Sequence, residues 1–414
     1  MRFVIILVVA VALAACVVPA QAATVIVDAG GGGDHLTIQA GLDAANDGDT
    51  VEVVAGTYTG EGNRDLNFGT KNIHLVSQSG QLSTQINTQA ENGHRLFYFY
   101  SGGQDTTCLI EGFTIIGGKT YQAGTPGAGI YIDGSGGTPP SPKFKDCMIT
   151  GNLSYGASGG GVYINNGCDP IFEGCTFNAN SALVSGGGVY VSMNSEPIFR
   201  DCTFTNNQCS TGFGGGLAFN GAGLPVVRSC RFVGNASGDQ GGGLGSWQTD
   251  ATILNSVFLN NLATTSGGAY YSQNAEDDFE RCTFVKNRSL GEGSVYYAWQ
   301  EGLPTFTDCI FAFSQPTDDR ASTFYCDGTT SPQVIYCCSY GNPDGDTPCG
   351  MVLLSIESDP LFCNIETDDL SLAANSPCLP AGNDWDRTMG AYDQGCVLSP
   401  VTETNWGTIK AMYR

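Results

Sequence analysis

The sequence predicts an all-β fold, a single-stranded right-handed parallel β-helix with about 27 residues per rung and a short N-terminal capping helix. Residues 169–191 and 196–219 repeat one unit: a Pro, an apolar pair, Cys-Thr-Phe, an Asn three residues later and a glycine triplet. A rung of this length cannot bury its apolar face alone, so neighbouring copies must stack. An antiparallel sandwich is the alternative, but it does not explain a fixed period without hairpin signals.

Two residue types recur once per unit and are predicted to form columns along the stack. In Cys-Thr-Phe, the Cys and Phe should point inward and the Thr outward. Stacked cysteines would lie about 4.8 Å apart with parallel side chains, which favours buried free thiols over disulfides. The recurrent Asn suits a left-handed turn residue whose amide bonds to the same amide one rung away. The two columns comprise Cys147, Cys175, Cys202, Cys230, Cys282 and Cys309, and Asn152, Asn180, Asn207, Asn235, Asn261 and Asn287.

The domain organisation follows the chain from an export signal to a tail. Residues 1–22 are interpreted as a signal peptide, because an apolar run precedes Ala20-Gln21-Ala22. The alternative is a lipobox ending at Cys16, which would then carry a lipid. Residues 23–396 are predicted to form the β-helix, with an N-terminal cap at 23–60, regular repeats at 142–340 and a Cys-rich C-terminal cap at 341–396. Residues 397–414 form a tail.

The amino-acid composition limits the classes of binding partner that are expected. A formal net charge of −23 argues against nucleic acid, whose binding depends on Lys and Arg at the phosphates. It also argues against an anionic polysaccharide unless Ca²⁺ bridges the two, and no other cofactor is indicated. We expect no transmembrane segment in the mature chain. Cysteines outside the column, concentrated towards the C-terminus, are the candidates for disulfides.

The candidate ligand-binding residues lie in the strand that follows the glycine step. Stacked once per rung, outward aromatic side chains would form a stripe that can contact sugar rings or peptides. The alternative is the ordinary preference of tyrosine for half-exposed strands. No catalytic or metal-binding residue is assigned, although three loop pairs (Asp277-Asp278, Asp318-Asp319 and Asp368-Asp369) are candidates for acid–base chemistry or Ca²⁺. The stripe comprises Tyr131, Tyr163, Tyr190, Tyr270 and Tyr296, with Trp247 near a gap.

Two sets of motifs resemble known families. The Phe-x-x-Asn steps with the following GGGVY, GGGLA and SGGAY resemble the repeats of bacterial polymorphic outer membrane proteins. TIQAGLDAANDGDTVEVVAGTY near the start and DPLF to MGAYDQG near the end resemble the ends of secreted pectate-lyase-like β-helix proteins. The carboxylate cluster and Arg base of pectate lyases do not map onto this sequence, nor does the Asp pair of galacturonases.

These observations support two functional hypotheses. The first is an exported bacterial protein, secreted or associated with the outer membrane or cell surface, that is not catalytic. It would serve adhesion or glycan binding through a lateral face of the β-helix. The second is a polysaccharide lyase or glycoside hydrolase that uses loop carboxylates.

Overall fold

The computed structural model describes residues 22–314, 322–343 and 345–397. The predicted signal segment up to residue 21, Cys16, the pair Asp318-Asp319 and residues 398–414 lie outside the described residues. The described chain forms a right-handed parallel β-solenoid of about thirteen turns, which confirms the predicted fold class and period. Within the described ranges, no helix has the length and hydrophobicity needed to span a bilayer.

Each regular rung contributes strands to four sheets, which we number I to IV in the order in which the chain visits them. A rung therefore has four strands where three were expected, because a two-residue strand in sheet III follows each recurrent Asn.

The strands of sheets I and II begin the rung on either side of the Cys column. Those of sheet I are Thr24–Val27, Thr50–Val53, His74–Ser77, Leu109–Glu111, Lys143–Lys145, Ile171–Glu173, Ile198–Arg200, Val226–Arg228, Thr252–Leu254, Asp278–Glu280, Thr305–Thr307, Gln333–Ile335 and Met351–Leu353. Those of sheet II are Gly56–Tyr58, Thr84–Asn87, Thr114–Ile116, Met148–Thr150, Thr176–Asn178, Thr203–Thr205, Arg231–Val233, Val257–Leu259, Thr283–Val285, Ile310–Ala312, Cys338–Tyr340 and Ile356–Glu357.

The strands of sheets III and IV complete the rung on either side of the glycine turn. Those of sheet III are Lys119–Thr120, Leu153–Ser154, Ser181–Ala182, Gln208–Cys209, Ala236–Ser237, Leu262–Ala263 and Arg288–Ser289. Those of sheet IV are Phe97–Gly102, Ile130–Thr138, Val162–Asn165, Val189–Ser192, Leu217–Asn220, Leu244–Trp247, Tyr270–Gln273, Tyr296–Trp299 and Phe324–Cys326.

The core consists of identical side chains stacked at the rung spacing. The ring centroids of Phe177 and Phe204 are 4.6 Å apart, and those of Phe204 and Phe232 are also 4.6 Å apart. The six cysteines of the Cys column are buried and free, and Cys108 and Cys337 extend the column at its two ends. Burial raises the pKa of Cys108 to about 12, so this thiol stays protonated and unreactive at neutral pH.

The recurrent Asn residues form a buried amide ladder along one corner. The Asn180 Nδ2 group donates to Asn207 Oδ1 at 3.0 Å, and the same bond links each neighbouring pair from Asn152 to Asn287. The left-handed conformation was predicted for these residues but falls one position earlier, for example at Ala179, where φ is 51°. The preceding residue turns the corner, and the Asn can therefore direct its amide inward.

The N-terminal end is covered by the helix Ile38–Ala44, as predicted. Thr37 caps the helix by accepting from the Ala40 N–H at 3.4 Å, and Ile38 and Leu42 are fully buried. At the other end of the helix, Lys71 Nζ donates to the Ala45 carbonyl at 2.8 Å, which satisfies a free acceptor and complements the helix dipole.

The C-terminal segment departs from the expected cap. Residues 345–357 still contribute strands to the last rung, but residues 359–396 lie along the outer side of sheet II. This segment contains the strands Phe362–Asn364, Asp369–Ala373 and Gln394–Cys396 and two short 3₁₀ helices, Ile365–Thr367 and Pro380–Gly382. It covers sheet II because the outward positions there become apolar, and the shared cluster comprises Val257, Leu259, Val285, Ile310, Ala312, Cys338, Phe362, Leu370, Leu372, Cys378, Leu379 and Met389.

Ion pairs and disulfides hold the C-terminal segment in place. Arg387 forms a two-pronged pair with Asp308, and Lys286 Nζ lies 2.9 Å from Asp368 Oδ1. Disulfides join Cys326 to Cys349 and Cys363 to Cys396. All four cysteines lie outside the Cys column, as expected for disulfides in this chain.

A candidate binding face on sheet IV

The outward face of sheet IV carries two parallel columns of side chains. Parallel pairing in register places one residue of each column on every strand except the last, Phe324–Cys326, which contributes only to the first column. The first, the tyrosine column, comprises Tyr98, Tyr131, Tyr163, Tyr190, Ala218, Gly245, Tyr271, Tyr297 and Tyr325. The second, the amide–indole column, lies two residues further along each strand and comprises Tyr100, Asp133, Asn165, Ser192, Asn220, Trp247, Gln273 and Trp299.

Two of the predicted stripe residues point inward instead. Tyr270 and Tyr296 are fully buried in the core, and the outward positions on their strands belong to Tyr271 and Tyr297. The third glycine of the glycine step is replaced here by Ala269 and, in the next rung, by Val295. The prediction took these two residues as the first apolar residue of the strand. A shift of one residue moves every side chain to the opposite face, because the strand period is two.

The tyrosine rings stack on one another along the axis. The Tyr131 and Tyr163 centroids are 5.6 Å apart with planes 7° apart, and those of Tyr163 and Tyr190 are 5.5 Å apart. The ring faces therefore contact neighbouring rings, and mainly ring edges and hydroxyls are left towards solvent. Burial raises the pKa of Tyr163 to about 12, so this hydroxyl carries no charge at neutral pH.

Glycine turns pack directly against this column. A Cβ atom at Gly186 would lie 2.7 Å from the Cβ of Tyr190, and φ at Gly186 is 64°. Both the close approach and the left-handed backbone require glycine at this turn. The glycine step thus presses the chain against the base of the tyrosine column and half-buries its rings.

The gap in the tyrosine column is filled from the side. Ala218 and Gly245 occupy the column here, and a Cβ atom at Gly245 would lie only 2.6 Å from Cδ2 of Phe213. The Phe213 ring comes from the turn before the sheet IV strand and lies 6.4 Å, centroid to centroid, from Tyr271. The sequence analysis missed Phe213, because a turn residue has no place in a strand pattern.

The amide–indole column has the more accessible groups. Trp247 is 36% exposed, and among the described residues no aromatic ring stacks on it. Trp299 is half-buried and lies parallel to Tyr297, with the ring centroids 6.0 Å apart. The sequence analysis found Trp247 but missed Trp299, because the shifted strand start obscured its alignment with Trp247.

Hydrogen bonds join the two columns and orient the amides. Asn220 Nδ2 donates to the Tyr190 hydroxyl at 2.8 Å, and the Tyr271 hydroxyl donates to Gln273 Oε1 at 2.7 Å. Gln273 Nε2 donates in turn to Gln300 Oε1 at 2.6 Å. These bonds hold the Gln273 amide between the two indoles and the Asn220 amide on the other side of Trp247.

At the N-terminal end of the face, the Asp133 carboxylate is fully engaged in hydrogen bonds within the protein. Asp133 accepts from Tyr131, Asn166 and Ser135 at 2.6 to 3.0 Å. Burial opposes ionisation of Asp133, but these hydrogen bonds prevail and hold its pKa below the ordinary value. Arg95 lies over the Tyr131 ring at 4.8 Å and donates to the Pro126 and Gly127 carbonyls. Both charged groups are thus engaged within the protein.

The candidate acidic pairs in the described part are separated by the fold. Asp277 is buried in the core, where it accepts from the Tyr270 hydroxyl at 2.6 Å and the Ala251 N–H at 2.7 Å. Burial raises its pKa to about 6. Asp278 points outward on sheet I, and Asp368 pairs with Lys286. Within the described ranges, no group of three or more His, Cys, Asp or Glu is placed to hold a metal ion.

Comparisons with known proteins agree on the fold. Residues 128–311 match the family described as the right handed beta helix region. Among solved structures, pectate lyase Pel9A is 15% identical with a TM-score of 0.56, covering 91% of this chain and 97% of that one. The Agl-KA catalytic domain is 12% identical with a TM-score of 0.37, and the similarity covers 91% of this chain and 69% of that chain. No curated protein matches the chain in sequence.

Proposed function

We propose that this right-handed β-helix protein, which shares its fold with a pectate lyase, is an exported bacterial protein that binds carbohydrate. Carbohydrate binds to the outward face of sheet IV and is not chemically altered. The observation that carries this proposal is the pair of outward columns, in which an exposed indole lies among hydrogen-bonding amides and hydroxyls. Export rests on the signal-like N-terminal sequence.

The chemistry of the face suits sugars better than other ligands. A pyranose ring presents C–H groups on its faces and hydroxyls around its edge, so it needs an aromatic surface beside polar groups. The amide–indole column supplies both within one rung of each other. The net charge of −23 disfavours nucleic acid and other polyanions.

A glycan array followed by titration calorimetry tests the proposal. Trp247→Ala and Trp299→Ala should each weaken binding about tenfold, as expected when an aromatic anchor is removed from an interface. Tyr155→Ala is the matched control, because Tyr155 is an exposed aromatic residue next to sheet III and outside this face. Equal glycan affinity in all three variants would show that the glycan does not bind to sheet IV.

The alternative is a polysaccharide lyase or glycoside hydrolase. The fold shared with a pectate lyase supports this alternative. The acidic pairs in the described part count against it, because their carboxylates do not converge on one site. Incubation with polyuronates and neutral glycans, with and without Ca²⁺, decides between the two. Turnover of any of these polymers would replace binding as the function.

A further inference from the structure

Four consecutive rungs of the amide–indole column alternate between an amide and an indole. Asn220 pairs in register with Trp247, Trp247 with Gln273, and Gln273 with Trp299. The two indoles therefore lie two rungs apart, with one amide between them and another beyond Trp247. Ser192 precedes this segment on the previous strand, so the alternation is confined to one part of the face.

The spacing of this segment is set by the backbone. Adjacent parallel strands keep a constant separation, so two rungs span about 10 Å, which is also close to the length of an extended disaccharide unit. In a fully extended chain of β-1,4-linked sugars, alternate residues are turned over, and each sugar face recurs once per disaccharide. A chain running parallel to the solenoid axis would therefore bring equivalent sugars to Trp247 and Trp299.

The charges around the segment favour an uncharged ligand. None of its four residues is charged, and the neighbouring groups are acidic: Asp327 accepts from the Gln300 N–H at 2.8 Å. Arg95, the cation described above on this face, lies over Tyr131, three strands from Asn220, and donates to backbone carbonyls. A polyuronate would meet negative potential here with no Lys or Arg in the segment to neutralise it.

We propose that the ligand is a neutral, linear, extended polysaccharide with a two-sugar repeat, such as a β-1,4-linked glucan or mannan. This inference rests on the proposed carbohydrate-binding function and specifies it further. The chain lies along the solenoid axis, and Trp247 and Trp299 contact equivalent sugars one repeat apart. The amides of Asn220 and Gln273 hydrogen-bond the hydroxyls of the sugars beside them.

The test is a length series of oligosaccharides titrated into the whole protein. We expect the affinity for one β-1,4-linked series to rise about tenfold between disaccharide and tetrasaccharide, when the second indole is reached. Trp299→Ala or Trp247→Ala should abolish this step and leave the disaccharide affinity within about threefold of the original. Tyr155→Ala should keep the step, and circular dichroism checks that each variant is folded.

The outcomes separate this inference from the proposed function. Binding of a branched, helical or acidic glycan that survives both Trp substitutions overturns the inference and places carbohydrate binding away from sheet IV, whereas loss of such binding in both variants overturns the inference and leaves the proposed function in place. A uniform loss at every chain length also overturns it, because the register would then play no part. Failure of all glycans to bind overturns both proposals.

Discussion

The outer faces of sheets II and IV make different use of large outward side chains. In the C-terminal half of sheet II, Val257 and Ile310 replace the outward Thr of earlier rungs, Val285 occupies the second outward position of its strand, and the segment 359–396 covers them. On sheet IV the outward residues are tyrosines, indoles and amides, and the amide–indole column stays partly exposed from Asn220 to Trp299. Burial of aliphatic side chains is favourable because they make no hydrogen bonds with water. Each tyrosine and amide carries a hydrogen-bonding group that water can satisfy, so exposure costs it less. Outward aliphatic residues thus indicate a covered face, and outward amide and indole residues indicate an accessible one.

The largest expected effect comes from weakening the cover of sheet II. Leu372, in the C-terminal segment, is fully buried in the cluster shared with sheet II, so Leu372→Ala should lower the free energy of unfolding by about 4 kcal/mol. Urea unfolding followed by fluorescence measures this change. Leu353→Ala is the control, because that side chain is 45% exposed and should cost less than about 0.5 kcal/mol. Similar losses in both variants would mean that the segment does not pack as described.

The inner side of sheet IV offers a pH-dependent test. The pKa of Asp277 is about 6 in the folded chain, above its ordinary value of 3.8, so folding favours the protonated carboxyl. The contribution of Asp277 to the free energy of unfolding is therefore fully present below about pH 4. It is lost as the pH rises through about 6, which lowers the free energy of unfolding by about 2 to 3 kcal/mol. Asp277→Asn removes the charge and should stabilise the protein at pH 8 but not at pH 4. Thermal unfolding at the two pH values measures the difference, and an equal effect at both would contradict a raised pKa.

A smaller effect is expected on the outer side of the same sheet. The Tyr271 side chain is almost fully buried and its hydroxyl donates to Gln273, so Tyr271→Phe should cost about 1 kcal/mol. The exposed Tyr155 supplies the matched change, Tyr155→Phe, which should leave the free energy of unfolding unchanged. Chemical denaturation of the pair compares them. A neutral Tyr271→Phe would indicate that the bond between the columns does not stabilise the open face.

Repetition explains which parts of the fold could be predicted. The rung period, the inward Cys and Phe and the outward Thr each recur many times, so a local misreading is corrected by the other copies. The capping helix was predictable from Thr37 and the spacing of Ile38 and Leu42. These features depend on residues that are close in sequence.

The parts that could not be predicted depend on single positions or distant contacts. At Tyr270-Tyr271 either tyrosine fits the outward slot, and only alignment of the two preceding glycines reveals the shift. Phe213 fills the gap from a turn, outside any strand pattern. The place of the C-terminal segment depends on contacts far along the chain, such as Arg387 with Asp308, which carry no local signal.

The periodicity of the amide–indole column has an evolutionary consequence. Each rung contacts only its neighbours, so duplication of two rungs would insert a unit whose core positions match those already present. The same duplication would add one amide and one indole to the outward face, in register with the others. The length of the face could then grow by gene duplication in fixed increments, without the compensating core substitutions that enlargement of a globular binding cleft demands.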